Sequence, residues 1–455
     1  MHFSTLKHIH FVGIGGIGMS GIAEILLSQG FRVSGSDMQR SDVTEHLVSR
    51  GATVFIGHDA ANIEGADVVV YSSAVRTAVN PETLAALARG VPLIRRAEML
   101  SEVSRLKYCL AIAGTHGKTT TTSMCGLVMM KAGLDPTVIV GGKLKGLGGS
   151  NARLGEGEWI VLEADEYDRS FLQLLPSIAI ITNVEADHLD IYDDLDDIKG
   201  AFIEFANKVP FYGVACVCLD DDGVRCILPH LHRRVITYGL SEECTTRAVD
   251  IEADERRVRY TLMHKNENLG TITLHVPGEH NVRNSLAAAS MALELGISAD
   301  VIREALGEFQ GVYRRFEIKG EHHGVLVIDD YAHHPTEIRV TLAAARAGWD
   351  RRVVAVFQPH TYTRTKDFFQ DFAESFGDAD VLILTDVYAA REAPIEGVSG
   401  ALIADAARLA GHPDVRYVPN MGDVRGALRD LLVPGDIVLT MGAGDVWKVG
   451  AELLA

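Results

Sequence analysis

Short apolar runs alternate with helix-compatible stretches along nearly the whole chain, and this alternation predicts an α/β protein. Several of the runs, such as 325–328, 353–357 and 381–384, are apolar throughout, which is typical of strands covered on both faces of a parallel sheet. Most of the runs are followed directly by Gly, Ser, Thr or an acidic residue. The predicted strands are residues 8–14, 31–37, 52–56, 66–71, 92–94, 108–113, 159–163, 177–184, 211–219, 235–238, 325–328, 353–357, 381–384 and 437–440.

Three successive groups of these strands predict three domains. A chain of 455 residues is too long for a single hydrophobic core. We expect an N-terminal Rossmann-like domain at residues 1–106, a central P-loop-type α/β domain at 107–311 and a C-terminal Rossmann-like α/β domain at 312–455. Residues 245–276 alternate between polar and apolar positions, which is typical of strands that extend a sheet at its edge.

The segment GTHGKT, which connects a predicted strand to a predicted helix, has the composition of a phosphate-binding loop. Gly114 and Gly117 allow the backbone to pass close to an anion, and a helix N-terminus favours negative charge. Lys118 would reach the β- and γ-phosphate oxygens, and the Thr119 hydroxyl would bind Mg²⁺. The usual pattern has a glycine where this chain has Ile112. A Gly-rich turn is often only a strand–helix connection, but the GKT sequence favours phosphate binding.

Two later strands end in acidic clusters that fit a magnesium site beside this loop. Glu163 and Glu166 follow one strand, and Asp187 and His188 follow the next. Magnesium prefers hard oxygen ligands such as carboxylates, and phosphate loops are usually paired with an acid at a strand end. A single acid at such a position is commonly a turn or capping residue. Two acidic clusters at strand ends, together with a GKT loop, favour a functional site over turn or capping residues.

The N-terminal segment GIGGIG follows a strand and opens a helix, and a second strand ends in Asp37. This is the context of a dinucleotide-binding loop, in which the acid binds a ribose. Taken alone, the pattern indicates an NAD-dependent dehydrogenase.

Polar residues follow each strong strand of the third domain, at 329–335, 358–364, 385–388 and 441–445. Open α/β sheets bind ligands at these strand ends. Adjacent residues project in different directions, so His333 and His334 indicate a substrate contact rather than a metal site. Earlier in the chain, His280, Asn281 and Asn284 precede a strongly apolar helix that we predict at 285–295. They are compatible with helix capping and equally with binding of an adenine or ribose.

The composition excludes several classes of protein. Hydrophobic residues make up 47% and charged residues 23%, which is ordinary for a globular protein. The net charge of −18 argues against a nucleic-acid partner. Six scattered cysteines without a CxxC pair predict reduced thiols. The chain shows no signal-peptide pattern and no apolar run long enough to span a membrane, so we expect a cytoplasmic protein without membrane insertion.

The order of sequence blocks along the chain resembles that of the Mur ligases. The blocks are GIGGIGMSGIAE, GTHGKTTTT, EADEYDRSF, TNVEADHLD, HNVRN, YRRFE, DDYAHHPTE, FQPHTYTRT and GAGD. The resemblance implies three domains and an ATP- and Mg²⁺-dependent amide ligation in peptidoglycan synthesis. ATP would phosphorylate the lactyl carboxylate of UDP-N-acetylmuramate, and the amine of L-alanine would then displace phosphate. The first domain would bind the UDP-substrate, the central domain ATP, and the third domain would close on ATP and the amino acid.

The resemblance also implies roles for individual residues. Those expected to contact ATP are Gly114, Thr115, His116, Gly117, Lys118, Thr119, Thr120, His280, Asn281, Asn284, Arg314, Arg315 and Asp330. Those expected to contact UDP-N-acetylmuramate or L-alanine are Gly15, Gly16, Gly18, Met19, Ser20, Asp37, Ser73, His333, His334, His360 and Arg364. Those expected to bind Mg²⁺ are Thr119, Glu163 and His188. Those expected to act in catalysis are Lys118, His188, Glu163, Arg315 and His333.

Several alternatives stay open at this point. The N-terminal glycine loop alone fits a dehydrogenase, and the GTHGKT loop alone fits a nucleotide-binding protein without turnover. A related ligase that adds a different amino acid or a tripeptide to the same sugar nucleotide is the closest alternative. Some relatives hold a second Mg²⁺ with a carbamylated lysine, and the sequence does not show whether Lys199 or Lys208 takes that role. We expect a monomer or a weak homodimer.

Overall fold

The chain forms two compact units, each built on parallel-rich sheets. The computed structural model describes residues 6–72, 74–142, 152–189, 191–390 and 392–454. The first unit contains Met1–Glu185, Leu195–Thr237 and Ser290–Ile297. The second contains Ala186–Asp194, Tyr238–Ala289 and Ser298–Ala455.

The first unit begins with a five-stranded parallel sheet in the order β3-β2-β1-β4-β5. Its elements are β1 (His8–Val12), α1 (Ile17–Ser28), β2 (Arg32–Asp37), α2 (Asp42–Ser49), β3 (Thr53–Ile56), β4 (Val68–Tyr71), α3 (Pro81–Arg89), β5 (Leu93–Arg95) and α4 (Arg96–Ser104). Local sequence explains where helix α3 begins and ends. The Asn80 side chain accepts hydrogen bonds from backbone N–H groups of the first turn, and Pro81 occupies the first helical position. Gly90 ends the helix in the left-handed region.

A second sheet in this unit carries strands in the order β11-β10-β6-β9-β7-β8. All neighbours are parallel except β7 and β8. The elements are β6 (Tyr108–Ala113), α5 (Lys118–Lys131), β7 (Thr137–Ile139), β8 (Ala152–Arg153), β9 (Trp159–Glu163), β10 (Ile178–Ile181), α6 (Leu195–Asn207), β11 (Val214–Cys218) and α7 (Asp222–Ile227). Strands β6, β9 and β10 lie in the middle of the sheet, are apolar except for Glu163 at the end of β9, and are buried at their central residues, and their carboxyl ends meet at one edge.

The next elements are β12 (Val235–Gly239), β13 (Thr246–Asp254), β14 (Arg257–His264), β15 (Glu267–Leu274), α8 (Glu279–Glu294) and α9 (Ala299–Glu308). In the second unit, β13, β14 and β15 form an antiparallel meander. This confirms the strands that polar–apolar alternation predicted at 245–276. Tyr260 on β14 is buried, and its hydroxyl lies 2.6 Å from Ser285 Oγ on α8, which ties the meander to the helix.

The C-terminal sheet of the second unit has the order β16-β17-β21-β18-β19-β20, with only β16 antiparallel. Its elements are β16 (Glu317–His322), β17 (Val325–Asp330), α10 (Pro335–Gly348), β18 (Val353–Phe357), α11 (Tyr362–Glu374), β19 (Val381–Leu384), α12 (Gly400–Leu409), β20 (Val415–Tyr417), α13 (Met421–Arg429), β21 (Ile437–Met441) and α14 (Trp447–Leu454). Two separate apolar clusters pack against the buried strands, as expected for a sheet covered by helices on both faces.

The α/β fold class predicted from the sequence is confirmed. Strands 108–113, 159–163, 353–357 and 381–384 have the predicted bounds. The predicted start of helix α8 was wrong, because the helix already begins at Glu279. The short strands β7, β8, β16 and β20 were not predicted, since few apolar residues mark them. The six cysteines are free thiols, and no described helix is long and apolar enough to cross a membrane.

Phe357 tests the larger apolar cluster of the C-terminal sheet. Its ring is fully buried and packs against Phe372 and Phe376 at centroid distances of 5.3 and 5.4 Å. Removing it leaves a cavity, so Phe357→Ala should lower the free energy of unfolding of this sheet by about 3–5 kcal/mol.

The measurement is urea denaturation followed by the fluorescence of Trp349, which belongs to the same cluster. Replacing Trp159 and Trp447 by Phe leaves Trp349 as the only tryptophan of the chain. Leu409→Ala is the matched control, because Leu409 is 90% exposed and its loss should change stability by less than about 0.5 kcal/mol. Equal effects of the two substitutions would contradict the assigned core.

Candidate active site

The GTHGKT loop connects β6 to α5 in the backbone conformation that its glycines permit. Gly114 and Gly117 have φ values of +139° and +81°, in the region that side chains disfavour. Gly117 is the N-cap of α5 and has no side chain to satisfy the first backbone N–H groups of the helix. The loop therefore presents a helix N-terminus, which favours an anion.

Two residues that follow β10 hold this loop in place. Thr182 Oγ1 and Asn183 Nδ2 both donate to the carbonyl of His116, at 2.6 and 3.1 Å. Asn183 Oδ1 accepts from the backbone N–H of His116 at 2.7 Å. A Cβ on Gly114 would collide with Thr182 Oγ1, so a glycine is required there. The adjacent Thr115 hydroxyl accepts from the backbone N–H of Glu185 at 2.9 Å.

The predicted phosphate-binding lysine is tied to the loop and to a buried acid. Lys118 Nζ donates to the carbonyls of Gly114 and Thr115 at 2.6 and 3.1 Å and to Glu166 Oε1 at 2.8 Å. Its side chain is 16% exposed, and that of Glu166 is 5% exposed. The lysine thus lies at the loop that was predicted to bind phosphates.

Acids outnumber cations around Lys118. Burial alone would lower the pKa of Lys118, but the carboxylates of Glu166, Asp165 and Glu163 raise it above its ordinary value. Burial raises the pKa of Glu166 to about 7, with Lys118 opposing and Asp165 reinforcing the shift. The surplus of negative charge, with the hydroxyl of Thr119 on the same helix turn, fits a hard divalent cation such as Mg²⁺.

Two other predicted residues, Thr120 and Glu163, lie close to this loop in the fold. Thr120 is buried in the first turn of α5. Glu163 ends β9, as predicted, and Gly141 passes beside it. A Cβ on Gly141 would lie 2.5 Å from Glu163 Oε2, so the backbone approaches this carboxylate closely.

The N-terminal glycine loop is fastened to the end of β2. The backbone N–H groups of Gly13 and Ile14 donate to the carbonyl of Ser36 at 2.8 and 3.0 Å. The N–H of Gly15 donates to Asp37 Oδ2 at 2.9 Å. Asp37 therefore supports the loop itself, whatever ligand it also contacts.

The remaining predicted residues of the first sheet divide into exposed and buried positions. Gly16 is exposed and caps α1 without a side chain. Met19 is 1% exposed and Ser20 is 5% exposed, so both side chains face the interior. Ser73 lies outside the described residues.

One cavity of the first unit is lined by residues from both of its sheet regions. Gly18 from the glycine loop and Glu163 from β9 line the same cavity, which has a volume of about 240 Å³. Arg96, which begins α4, also lines it and lies directly over Gly18, where a Cβ would collide with the guanidinium. A neighbouring cavity of about 290 Å³ also contains Arg96. Its other lining residues are Tyr71, Val75, Thr77, Arg95, Ala97 and Asp168.

A buried polar network supports the glycine loop from behind. Ser36, whose carbonyl holds the loop, donates its hydroxyl to Glu82 Oε2 at 2.5 Å. His10 Nε2 and His58 Nδ1 lie 3.7 and 3.3 Å from the same carboxylate, and Asn62 donates to its other oxygen at 2.6 Å. Burial would raise the pKa of Glu82, but the nearby His10 and the hydrogen bonds from Ser36 and Asn62 lower it to about 2.

In the second unit, an ion pair links the segment after Glu185 to α11. Arg364 Nη2 donates to both oxygens of Asp187, at 2.8 and 3.1 Å. Burial alone would raise the pKa of Asp187, but Arg364 and His188 hold it well below its ordinary value. His188, a predicted metal ligand, follows with a φ of +56°. Its Nε2 lies 3.5 Å from Asp187 Oδ2.

Aromatic and imidazole rings form a row at the carboxyl edge of the C-terminal sheet. His333 packs edge-on against Tyr331 and against His360, at centroid distances of 5.3 and 5.8 Å. His360 in turn stacks on Tyr388. Burial, with His333 and Arg364 nearby, lowers the pKa of His360 to about 3.

Two buried polar atoms in this row have no partner among the described residues. They are His360 Nδ1 and Arg364 Nε. Because buried polar groups normally form hydrogen bonds, such atoms are expected at a ligand site. His334 lies beside the row as the N-cap of α10, with its ring 5.4 Å from that of Phe368.

The residues predicted to bind the nucleoside of ATP have mixed roles. Asn281 Nδ2 donates to the carbonyl of Pro277 at 2.7 Å, and Asn284 Nδ2 donates to Asn281 Oδ1 at 3.3 Å. Hydrogen bonds at the start of the helix, which was the alternative to nucleoside binding, therefore account for part of the polar character of this segment. Burial, with Arg283 and Arg315 nearby, lowers the pKa of His280 to about 4.

Arg314 and Arg315 differ in their partners. Arg314 donates to Asp329 Oδ2 at 3.0 Å and to the carbonyl of Gly442 at 2.7 Å, which holds the connecting segment on the sheet. Arg315 donates to Glu337 Oε1 at 3.2 Å. Asp330 is buried and accepts two backbone N–H groups at 2.7 Å, and burial raises its pKa to about 6 against the effect of Arg315.

Three models of known protein families match the chain. They are the Mur ligase family catalytic domain over residues 8–108, the Mur ligase middle domain over 112–292 and the Mur ligase glutamate ligase domain over 314–444. The chain belongs to the Mur ligase family. The resemblance seen in the sequence blocks and the three-domain α/β fold are thereby confirmed.

Individual Mur ligases match over almost their full length. The UDP-N-acetylmuramate–L-alanine ligase of Salinibacter ruber is 56% identical over 444 residues, which cover 97% of this chain and 93% of that protein. The crystal structure of the UDP-N-acetylmuramate–alanine ligase MurC from Thermotoga maritima has a TM-score of 0.81 at 31% identity and covers 98% of each chain. A murein peptide ligase from Psychrobacter arcticus has a TM-score of 0.71 at 26% identity, again over 98% of each chain.

Several residues of this Mur ligase site were not singled out from the sequence. Asn183 and Thr182 clamp the phosphate loop, Arg96 covers the glycine loop, and Glu337 pairs with Arg315. A signal was present for three of them, because Thr182 and Asn183 begin the block TNVEADHLD and Glu337 ends the block DDYAHHPTE. Arg96 lies in none of the blocks, and its position over the glycine loop depends on packing between distant segments.

The polar network of Glu82 predicts a pH dependence. A folded-state pKa of about 2 against an ordinary value of 4.5 means that the carboxylate stabilises the fold above pH 4.5. This contribution is lost as the pH falls from 4.5 towards 2. Glu82→Gln should therefore cost about 3 kcal/mol at pH 7, and the difference from the wild type should shrink between pH 5 and pH 3.

Hydrogen exchange of the β1 and β2 amides under increasing urea measures this difference, because it reports on the first sheet alone. Glu64→Gln, at an exposed acid of the same sheet region, is the control and should have no effect. A penalty for Glu82→Gln that is as large at pH 3 as at pH 7 would show that shape rather than charge is responsible.

Proposed function

We propose that this Mur ligase joins L-alanine to UDP-N-acetylmuramate, with conversion of ATP to ADP and phosphate. The observation that carries the proposal is the cavity shared by Gly18 and Glu163. It connects a glycine loop suited to a sugar nucleotide with a carboxylate beside a phosphate loop. The relatives named UDP-N-acetylmuramate–L-alanine ligase support the choice of substrates.

The first step transfers a phosphoryl group. The lactyl carboxylate of UDP-N-acetylmuramate attacks the γ-phosphorus of ATP, and the bond to the β–γ bridging oxygen breaks. ADP leaves, and an acyl phosphate forms. Lys118 and the N-terminus of α5 stabilise the charge on the transferring group. Lys118 must leave Glu166 to do so, so binding of the polyphosphate exchanges one anionic partner for another.

A divalent cation fits the acidic surroundings of this lysine. Thr119 and Glu163 would hold Mg²⁺, with His188 as a further candidate ligand. When bound, the ion would neutralise phosphate charge and bring the two anionic substrates together. Lys199 forms an ion pair with Asp196, and Lys208 forms one with Glu204. Neither lysine is therefore assigned as a ligand of a second Mg²⁺.

The second step forms the amide. The amine of L-alanine attacks the carbonyl carbon of the acyl phosphate, and phosphate leaves from the tetrahedral intermediate. A small zwitterion needs a cation for its carboxylate and an acceptor for its ammonium. The row of His333 and His360 with Arg364 offers both, including the open Nε of Arg364. We assign amino-acid binding to this row.

The three domains divide the work in this proposal. Residues 1–106 bind the UDP-sugar, residues 107–311 bind ATP, and residues 312–455 bring the amino acid. Arg96 adds a positive charge beside the N-terminal glycine loop that suits a diphosphate. The loop then serves a uridine nucleotide and not a nicotinamide.

The substrate requirement is a direct test. Phosphate release, followed with a coupled assay, should require ATP, Mg²⁺, UDP-N-acetylmuramate and L-alanine together. Glycine, L-serine and the tripeptide L-Ala-γ-D-Glu-meso-diaminopimelate should support slower turnover. Faster release with the tripeptide would replace this proposal by that of a murein peptide ligase, and nicotinamide absorbance changes would favour a dehydrogenase.

Lys118→Ala tests the phosphate loop. The variant should bind UDP-N-acetylmuramate as the wild type does, and its turnover should fall by at least about 10³-fold because a transition-state cation is missing. Isothermal calorimetry and the phosphate assay measure the two properties. Lys131→Ala, at the exposed far end of the same helix, is the control and should leave turnover unchanged. Retained turnover in the Lys118 variant would exclude the assigned loop.

A further inference from the structure

The proposed reaction needs a proton acceptor. At neutral pH the amino group of alanine is an ammonium ion, which has no lone pair with which to attack an acyl phosphate. A proton must therefore leave the ammonium before the new C–N bond forms. A side chain that takes it needs a lone pair aimed at the amine and a fixed orientation.

The carboxylate of Glu337 lies beside one ring nitrogen of His333. Its Nδ1 lies 3.1 Å from Glu337 Oε2 and 3.1 Å from the carbonyl oxygen of Tyr331. The backbone N–H of His333 donates to the same Glu337 oxygen at 2.9 Å. Glu337 is the third residue of α10, a position from which a glutamate commonly reaches back to the backbone before the helix. Here it reaches both the backbone and the ring of His333.

These contacts fix the tautomer of His333. A carbonyl oxygen and a carboxylate only accept hydrogen bonds, so Nδ1 must carry the proton. The lone pair then lies on Nε2, which makes no hydrogen bond within the described part of the chain. The His333 side chain is 20% exposed, whereas that of Glu337 is 10% exposed. The orienting acid is thus protected, and the nitrogen that it orients is accessible.

The charged and titratable groups around the pair come from several elements, and they include His280 on α8 and Asp330 on β17, whose pKa values the charge of Glu337 raises. Arg315 in the connecting segment donates to Glu337 Oε1 at 3.2 Å, which places the other carboxylate oxygen towards His333. Tyr331 after β17 and His360 after β18 pack edge-on against the imidazole. Arg364 on α11 lies next to His360. The ring is held on both sides, so its Nε2 has a defined direction.

We propose that Glu337 is a positioning residue for His333, which takes the proton from the amino acid's ammonium. This inference rests on the proposed function and assigns its base. The proton moves from the ammonium to Nε2, and the amine's freed electron pair forms the bond to the acyl carbon. Phosphate leaves with the electrons of the C–O bond and takes the second proton of the nitrogen, so that a neutral amide and hydrogen phosphate form. The imidazolium is stabilised by Glu337 and returns its proton to solvent.

Glu337→Gln removes the charge and keeps the shape of the positioning residue. Ligation of L-alanine should fall by about 10²-fold or more, the usual contribution of general base catalysis. The loss should fall on kcat for L-alanine and leave its KM nearly unchanged, because Glu337 acts through the ring of His333 and not on the substrate. Glu374→Gln, at an exposed acid that ends α11, is the control and should change neither.

Hydroxylamine separates this inference from the proposed function. It is largely unprotonated at neutral pH and attacks acyl phosphates without a base. Glu337→Gln and His333→Asn should therefore still form the hydroxamate from ATP and UDP-N-acetylmuramate at the wild-type rate. Equal losses with alanine and with hydroxylamine, or a loss confined to the KM for L-alanine, would overturn the assignment of Glu337. A wild-type enzyme that forms no hydroxamate would overturn the acyl-phosphate reaction itself.

The tautomer can be read without any change to Glu337. In ¹⁵N NMR spectra of the histidine-labelled wild-type enzyme, the signal that disappears in His333→Asn belongs to His333. Its shifts should be those of an imidazole protonated on Nδ1. An Nε2-protonated ring would contradict the inference even if Glu337→Gln failed to fold.

Discussion

The burial of one ammonium group among three carboxylates is the constraint on which the central site depends. A buried lysine needs a partner, since an uncompensated charge inside a protein is strongly destabilising. Lys118 meets this need with Glu166 and with two carbonyls of its own loop, so the lysine and the loop conformation support each other. Glu163 and Asp165 then leave a surplus of negative charge. This surplus would repel a polyphosphate alone, so in the proposed function the nucleotide and a cation bind together.

Parallel strands determine where the remaining functional groups collect. Many of the described candidate residues follow the carboxyl ends of parallel strands, as after the neighbours β1 and β2, after the neighbours β6 and β9, and after β17 and β18, which both pair with β21. A parallel sheet brings those ends to one edge because every crossover returns to the same side. This is why residues far apart in sequence, such as Gly15 and Asp37, come into contact.

The sequence predicted most of the fold and the part of the site that local patterns specify. Buried strands and the GKT loop have distinctive compositions, so β6, β9 and Lys118 could be located from them. Helix α8 was placed too late, because its polar first turn resembles a cap. Asn183 and Arg96 were not identified, since their importance arises from contacts with the loops of His116 and Gly18, which only the folded chain brings together.

The acidic composition of the chain and its anionic substrates are reconciled by local pairing. With a net charge of −18, no long-range field attracts nucleotides, so each cation must be held in place by a nearby acid. The pairs differ in what a ligand must do. In the proposed function, a phosphate displaces Glu166 from Lys118, and this exchange lowers the free energy gained on binding. The amino-acid carboxylate of that proposal approaches Arg364 through Nε while Asp187 stays bound, so the guanidinium is oriented in advance and loses little freedom. In the same way, Glu337 orients the ring of His333 through Nδ1 and leaves Nε2, the proposed proton acceptor, unoccupied.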